Sequence, residues 1–352
     1  MTKIDAYETF VVKVPYEEGR GATHVVLRLR SDDGLTGVGY FSMLAPWVVK
    51  TFMSAVDHFA GRVIGADPMQ VESITNGLLA SGGDFSAVVS RAVSAVDTAM
   101  WDLKAKMLGL PLHKLLGSSK DRVPVYAGYR LWWNYDIDTV ARNAGEFAAQ
   151  GFKALKYRMW GDGDLQACVD RTRAIREAVG PGVEMLLDIN QNWAPDRALE
   201  IARALEPYRL HWIEDPVQHE DFHSLHMMSE ALHTPISTGE SLDRVWEFRH
   251  LLESRAADVV IVDPIVGGIT PWLKIAALCE SFGKPIASHL YPEVLSHCVA
   301  AVPNGHIVEY LPWTTAIWQD PPKVEGGQLV FSEAPGLGLE LDEAAVKALT
   351  VS

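Results

Sequence analysis

The chain has 352 residues, 48% hydrophobic and 22% charged, enough to bury the core of one large or two medium domains without disulfide staples. Its three cysteines, Cys168, Cys279 and Cys298, are far apart and fit no CxxC pattern, which points to a reduced, cytoplasmic protein. A formal net charge of −14 argues against a nucleic-acid partner, and neither a signal peptide nor a run of about 18 apolar residues is present to suggest export or a membrane span.

The first predicted element is a strand over residues 24–30, where Val25, Leu27 and Leu29 alternate with Val26, Arg28 and Arg30. Asp32-Asp33-Gly34 then turns the chain into a second strand near Thr36–Tyr40, a hairpin signal. Val89, Val93, Val96, Met100, Leu103 and Met107 recur at helical spacing as far as Gly109 and Pro111. Residues 1–118 therefore read as an α+β domain. Beyond them, short apolar strands alternate with amphipathic helices: strands are predicted at 123–127, 152–158, 183–187, 210–213, 235–238, 259–262, 285–288 and 306–308. Repeated βα units imply a parallel sheet, and eight imply an α/β barrel of the TIM type over 119–315. Neither GxGxxG nor GxxxxGK follows any strand. The Gly-rich tail, 316–352, is too short for a domain and is expected to pack back on the first one.

The chemistry lies at the strand ends. Asp188, Glu214 and Glu240 each close one apolar strand, and each follows the last by 26 residues, one βα unit. In a barrel such positions converge on the C-terminal face. Three acids meeting there repel unless a cation lies between them, and an all-oxygen set favours Mg²⁺ first and Mn²⁺ second. Period-two alternation turns Lys156 and Arg158 to one face, into the barrel. His289 and Asp263 end neighbouring strands, so an Asp–His hydrogen bond that fixes the imidazole tautomer is within reach. Glu309 ends the last strand. A metal with a lysine can stabilise the doubly charged enediolate that forms when a proton next to a carboxylate is removed.

These residues resemble the enolase superfamily and, within it, the mandelate racemase subgroup. The resemblance is carried over the whole chain by Ser94-Ala95-Val96-Asp97 with Trp101-Asp102-Leu103, Lys156-x-Arg158, Asp188-x-Asn190, Ile213-Glu214-Asp215-Pro216, Gly239-Glu240-Ser241, Gly267-Gly268-Ile269-Thr270, Ser288-His289-Leu290, Val308-Glu309-Tyr310 and Pro335-Gly336-Leu337-Gly338. It implies a modified (β/α)7β barrel under an α+β capping domain, Mg²⁺ on Asp188, Glu214 and Glu240, and a His289–Asp263 base dyad. It further implies that Lys156 and Glu309 contact the substrate carboxylate and that Asn190 touches substrate or metal-bound water. A capping loop at Tyr16–Thr23, including Arg20, would close over the site, and the assembly would be a homo-oligomer acting on a small carboxylate.

Two departures stand out. The Asp263–Gly267 interval is one residue shorter than the family pattern, and the family's second lysine is Arg158. An arginine stays protonated and is a poor base. That favours a one-base reaction, dehydration of an acid sugar to a 2-keto-3-deoxy acid, over racemisation or epimerisation of a 2-hydroxy acid, with sugar-lactone cycloisomerisation as a further alternative. Trp132, Trp133 and Trp160 could line the pocket or pack between barrel and cap. His219-Glu220-Asp221-Phe222-His223 fits the HExxH pattern of zinc proteases, and Lys156 alone would also suit a Schiff-base aldolase.

Overall fold

The computed structural model describes residues 2–17, 20–43, 45–83, 86–161 and 164–351. An antiparallel sheet, β1 (Ile4–Glu17), β2 (Arg20–Ser31) and β3 (Thr36–Met43), is followed by helices α1 (Val49–Arg62), α2 (Val71–Ala80), α3 (Ser86–Met107) and the short α4 (Leu112–Leu115). Alternation along β2 gives the sheet two buried faces. Val25, Leu27 and Leu29 pack on α1 and α3, whereas Val26, with Val12, Val14, Val38 and Tyr40, joins the barrel's main core. Gly37 and Gly39 let β3 lie directly on α3: a Cβ at either would stand about 2 Å from the carbonyl oxygen of Ala99 or Ala95.

Eight parallel strands follow: β4 (Arg122–Ala127), β5 (Ala154–Arg158), β6 (Glu184–Asp188), β7 (Trp212–Glu214), β8 (Ile236–Thr238), β9 (Val259–Val262), β10 (Ile286–Ser288) and β11 (Val308–Tyr310). The intervening helices are α5 (Ile137–Ala149), α6 (Leu165–Val179), α7 (Pro195–Leu205), α8 (Phe222–Ala231), α9 (Val245–Glu253), α10 (Ile269–Ser281) and α11 (Pro292–Ala301). Neighbours pair in sequence order and β11 pairs with β4. Between β10 and β11 the connection is the bridge Ile286↔Gly305 and the bonds His306 N to Ile286 O and Ser288 N to Ile307 O, rather than a regular ladder. Tyr126, Leu186, Trp212, Ile261, Ala287 and Ile307 fill the interior, as a barrel of this size requires. Helix starts are fixed locally: Asp136 accepts from Thr139 N and Asp164 from Ala167 N.

The tail divides its contacts. The hairpin β12 (Lys323–Glu325) and β13 (Gln328–Val330) adds to barrel strand β4, in antiparallel register. Trp318, ahead of the hairpin, meets Tyr40 of the cap, and later residues reach it through Leu337 N to Asp102 Oδ1 and Val351 N to Val11 O, around α12 (Glu343–Leu349).

Two acids of α3 bring several of the motifs named above into contact. Asp97 is buried and accepts from Thr75 Oγ1 and Thr270 Oγ1, both at 2.6 Å, and from Thr270 N at 3.0 Å, fastening the cap to the start of α10. Asp102 accepts from Val38 N and Leu337 N and pairs with Lys106, joining cap sheet, helix and tail.

Candidate active site

The residues expected at strand ends meet at one mouth of the barrel. Lys156 and Arg158 point inward while Tyr157 between them turns outward to Thr172. The Lys156 ammonium, fully buried, lies 2.5 Å from Glu214 Oε1, 2.9 Å from Glu309 Oε1 and 3.9 Å from Asp188 Oδ2. Burial opposes its charge, but Glu214 and Glu309 outweigh that and hold it well above the ordinary lysine range. An amine so firmly protonated is unsuited to Schiff-base attack.

Arg158 donates from Nε to Asp188 Oδ2 at 2.6 Å, reaches Glu309 Oε1 at 3.6 Å, and lies over the Trp132 ring, 4.3 Å from its centroid. Glu309 is ordered by its own backbone N–H on Ser288 Oγ and by Leu290 N, which donates to Oε2. Burial would raise Glu309, but Lys156 foremost pulls it below the usual carboxylate range. It is thus ionised and serves as countercharge to both cations.

Asp188 Oδ1 accepts from Asn190 N, and the Asn190 amide donates to Glu240 Oε1 at 3.2 Å, linking the first and third acids. Trp212, inside the barrel, donates to Glu214 Oε2 at 3.0 Å. Across the mouth, His289 Nδ1 lies 2.6 Å from Asp263 Oδ2, and Nε2 lies 3.1 Å from Glu240 Oε2. Asp263 Oδ1 accepts from Ile265 N, so the shortened turn after β9 holds the carboxylate toward the imidazole. Burial disfavours a charged His289, yet Glu240 and Asp263 push it up to about 10.

Does this donor set fit a divalent metal? Among the described residues the acids do not form a ready three-ligand cage, because Lys156, Arg158, Asn190 and His289 hold their oxygens. The chemistry of the set nevertheless fits a hard cation. It is all oxygen, buried and crowded: burial, with Asp188, Glu240 and Glu309 nearby, pushes Glu214 up to about 8 in spite of Lys156. Neighbouring Asp215 is buried, and burial followed by Glu240 raises it well above the usual range in spite of Thr238.

The cavity over these groups has a volume of about 360 Å³ and is lined by Asp188, Asn190, Glu240, His289, Arg158 and an aromatic wall. Trp132 stacks on Trp313 at 6.4 Å and Trp133 on Trp160 at 5.1 Å, and Tyr16 lies tilted against Trp313 at 5.1 Å. Trp132 is buried, so it lines the pocket and packs under the cap at once, while Trp133 and Trp160 are half exposed at the rim. The expected capping loop at Tyr16–Thr23 is instead the end of the β1–β2 ribbon, with Pro15 opposite Gly21 and Glu17 opposite Arg20; Glu18 and Gly19 lie outside the described residues. Continued cross-strand pairing is what extends the ribbon. Sequence reasoning missed Glu17 and Trp313. Glu17 Oε1 accepts from Arg130 N and Trp132 Nε1 and Oε2 from the Tyr135 hydroxyl, latching the ribbon to the loop after β4. The position of Trp313, three residues past β11, was the available signal.

The HExxH match does not make a zinc site. His219 precedes α8 in a turn and bonds Gln191 Oε1 at 2.7 Å, so its two histidines do not share a helix face.

Residues 9–117 match the mandelate racemase / muconate lactonizing enzyme N-terminal domain, and residues 139–345 match the enolase C-terminal domain-like family. The chain belongs to the enolase superfamily, in its mandelate racemase subgroup. This superfamily member is 33% identical over 324 residues to the L-talarate/galactarate dehydratase of Salmonella typhimurium, covering 91% of this chain and 81% of that one. It is 33% identical over 335 residues to the 3,6-anhydro-alpha-L-galactonate cycloisomerase of Streptomyces coelicolor, covering 93% and 91%. The crystal structure of L-talarate dehydratase from Polaromonas sp. JS666, complexed with Mg and L-glucarate, superposes with a TM-score of 0.92 at 30% identity, covering 100% of this chain and 98% of that one. Among the described residues no helix is long and apolar enough to cross a membrane.

Proposed function

We propose that this chain is a Mg²⁺-dependent hydro-lyase that dehydrates an acid sugar to a 2-keto-3-deoxy acid, with Asp188, Glu214 and Glu240 as the metal's ligands. When bound, the cation supplies Lewis acidity to the substrate carboxylate, which lowers the cost of removing its α-proton. With Glu240 given over to the cation, the largest of the pulls that push His289 up to about 10 would be relieved, and the neutral imidazole would take that proton at Nε2. Asp263, hydrogen-bonded to Nδ1, fixes the tautomer that leaves Nε2 as the base and stabilises the imidazolium formed. Lys156, kept charged by Glu214 and Glu309, supports the enediolate. The β-hydroxyl leaves as water with the proton returned from Nε2, and the enol tautomerises to the ketone. Asn190, Tyr16, Arg20 and Trp160 are the proposed substrate contacts.

The observation that carries this reading is the asymmetry of the site. His289 with Asp263 is a proton-transfer pair on one side, while Arg158, opposite, is a guanidinium pinned to Asp188 and set above the Trp132 face. Racemisation and epimerisation need a proton-transfer group on both faces of the α-carbon. The dehydratases among the relatives support the same reading. Incubation with Mg²⁺ and a set of aldonates and aldarates should release 2-keto acid, and His289→Asn should abolish it. Undiminished turnover in that variant would overturn the assignment of the base.

The reading also places the protein in the cytoplasm as a homo-oligomer. Its buried, unpaired cysteines support the first, and the exposed Trp47 and Trp246 support the second. Light scattering giving a monomer mass would remove the oligomer.

A further inference from the structure

Resting on the acid-sugar reading, we propose that the substrate is a diacid whose far carboxylate is received by Arg20. Arg20 opens β2 and lines the cavity, its guanidinium carbon 5.8 Å from the centroid of the Trp132 ring. Arg158 lies 4.3 Å from the same centroid, so the two cations stand no more than about 10 Å apart beside one indole. They face a common space: Arg20 and Arg158 both line the one cavity, with Tyr16.

The two arginines differ in what they hold. Arg158 is committed to Asp188 and Glu309. Among the described residues no acid lies at ion-pair distance from Arg20, and Glu17, opposite it in the ribbon, gives its oxygens to Arg130 N, Trp132 and Tyr135. A guanidinium that no described acid pairs, on the wall of a partly enclosed cavity, favours an anion, and its planar fork matches a carboxylate in bidentate geometry. The reacting carboxylate belongs at the other end, beside the acids and Lys156. A five- or six-carbon chain spans that interval, with its carbon backbone against Trp132 and Trp313. A monoacid would offer Arg20 only a neutral terminal hydroxyl, a weaker partner than a carboxylate.

Matched pairs test this, for instance galactarate against galactonate, which differ only at the far carbon. The wild-type enzyme with Mg²⁺ should prefer the diacid in kcat/KM. Arg20→Met should cut the diacid-to-monoacid ratio about 10- to 100-fold, mainly through KM, and Arg20→Lys should restore part of it. Equal use of both acids, preference for the monoacid, or an equal loss on both in Arg20→Met would overturn the diacid assignment and leave dehydration intact. If neither acid is turned over, calorimetric titration of the Mg²⁺-loaded protein with the same pair decides. Selective loss of diacid binding in Arg20→Met upholds the role of Arg20 while dehydration fails, and equal or absent binding overturns the proposal.

Discussion

His289 Nδ1 and Asp263 Oδ2 lie 2.6 Å apart at the ends of adjacent strands β9 and β10. The carboxylate is itself held by Ile265 N, so the imidazole has one orientation and one tautomer available as base. Asp263→Asn preserves the shape but can favour the wrong tautomer. We expect kcat to fall by about 10²- to 10⁴-fold with KM changed far less. Steady-state kinetics on the best substrate checks this, and a loss confined to KM would assign Asp263 to binding instead.

Arg158 leads to a stereochemical prediction. With a guanidinium where a second base would stand, the wild-type enzyme in D₂O should yield no epimer of the starting acid, as read by proton NMR. Accumulation of the epimer would mean that a group on the Arg158 side transfers protons.

Metal binding should show in stability as well as in activity. A ligand that binds only the folded protein raises its stability in proportion to RT ln(1 + [L]/Kd). Added Mg²⁺ should raise the thermal midpoint and EDTA should reverse it. Glu214→Gln or Glu240→Gln should lose the response. An unchanged midpoint at millimolar Mg²⁺ in the wild type would sink the ligand assignment.

The junction of cap and barrel is sensitive at Gly268. Its φ is +100°, and a Cβ there would stand 2.4 Å from Asp97 Oδ2, the oxygen that accepts from Thr270 N. Gly268→Ala should destabilise the fold by about 2 to 4 kcal/mol, the range for strained and overpacked sites. Urea unfolding gives the value, and a loss below about 0.5 kcal/mol would show that the junction can shift.

His24 adds a pH dependence away from the active site. It is buried between cap and barrel; the Trp313 carbonyl can only accept, so Nε2 carries the proton and Nδ1 accepts from the Ser42 hydroxyl. Burial, partly offset by the Trp313 bond, lowers its pKa from 6.5 to about 4. The unfolded chain therefore binds the extra proton first. The contribution of His24 is complete above about pH 6.5 and is lost as the pH falls toward 4, by about 2 kcal/mol at pH 5. His24→Gln should flatten the unfolding midpoint between pH 7 and 5, and an unchanged slope would remove His24 as the source.

Much of the site was legible because strand-end position is a local property. Asp188, Glu214 and Glu240 could be placed by counting one βα unit between them, and Lys156 and Arg158 by alternation. What remained hidden depends on pairing between distant segments. The hairpin at 323–330 shows strand character in sequence, but nothing local says that its partner is β4 rather than the cap. Glu17 reads as a charged strand end, and only the folded ribbon brings it to Trp132 and Tyr135. The position of Glu309 was predictable, whereas its ion pair with Lys156 and its bond from Leu290 N needed the neighbouring segments brought alongside it.

Asp97 and Asp102 stand five residues apart on one helix, and between them they fasten barrel, cap sheet and tail. The roof of the site is therefore no detachable accessory: a chain ending soon after β11 would forfeit Leu337 and leave Asp102 buried with one of its anchors gone. The rim positions Tyr16, Arg20 and Gly21 lie clear of that fastening. New selectivity can be written there residue by residue, while the machinery beneath keeps its alignment.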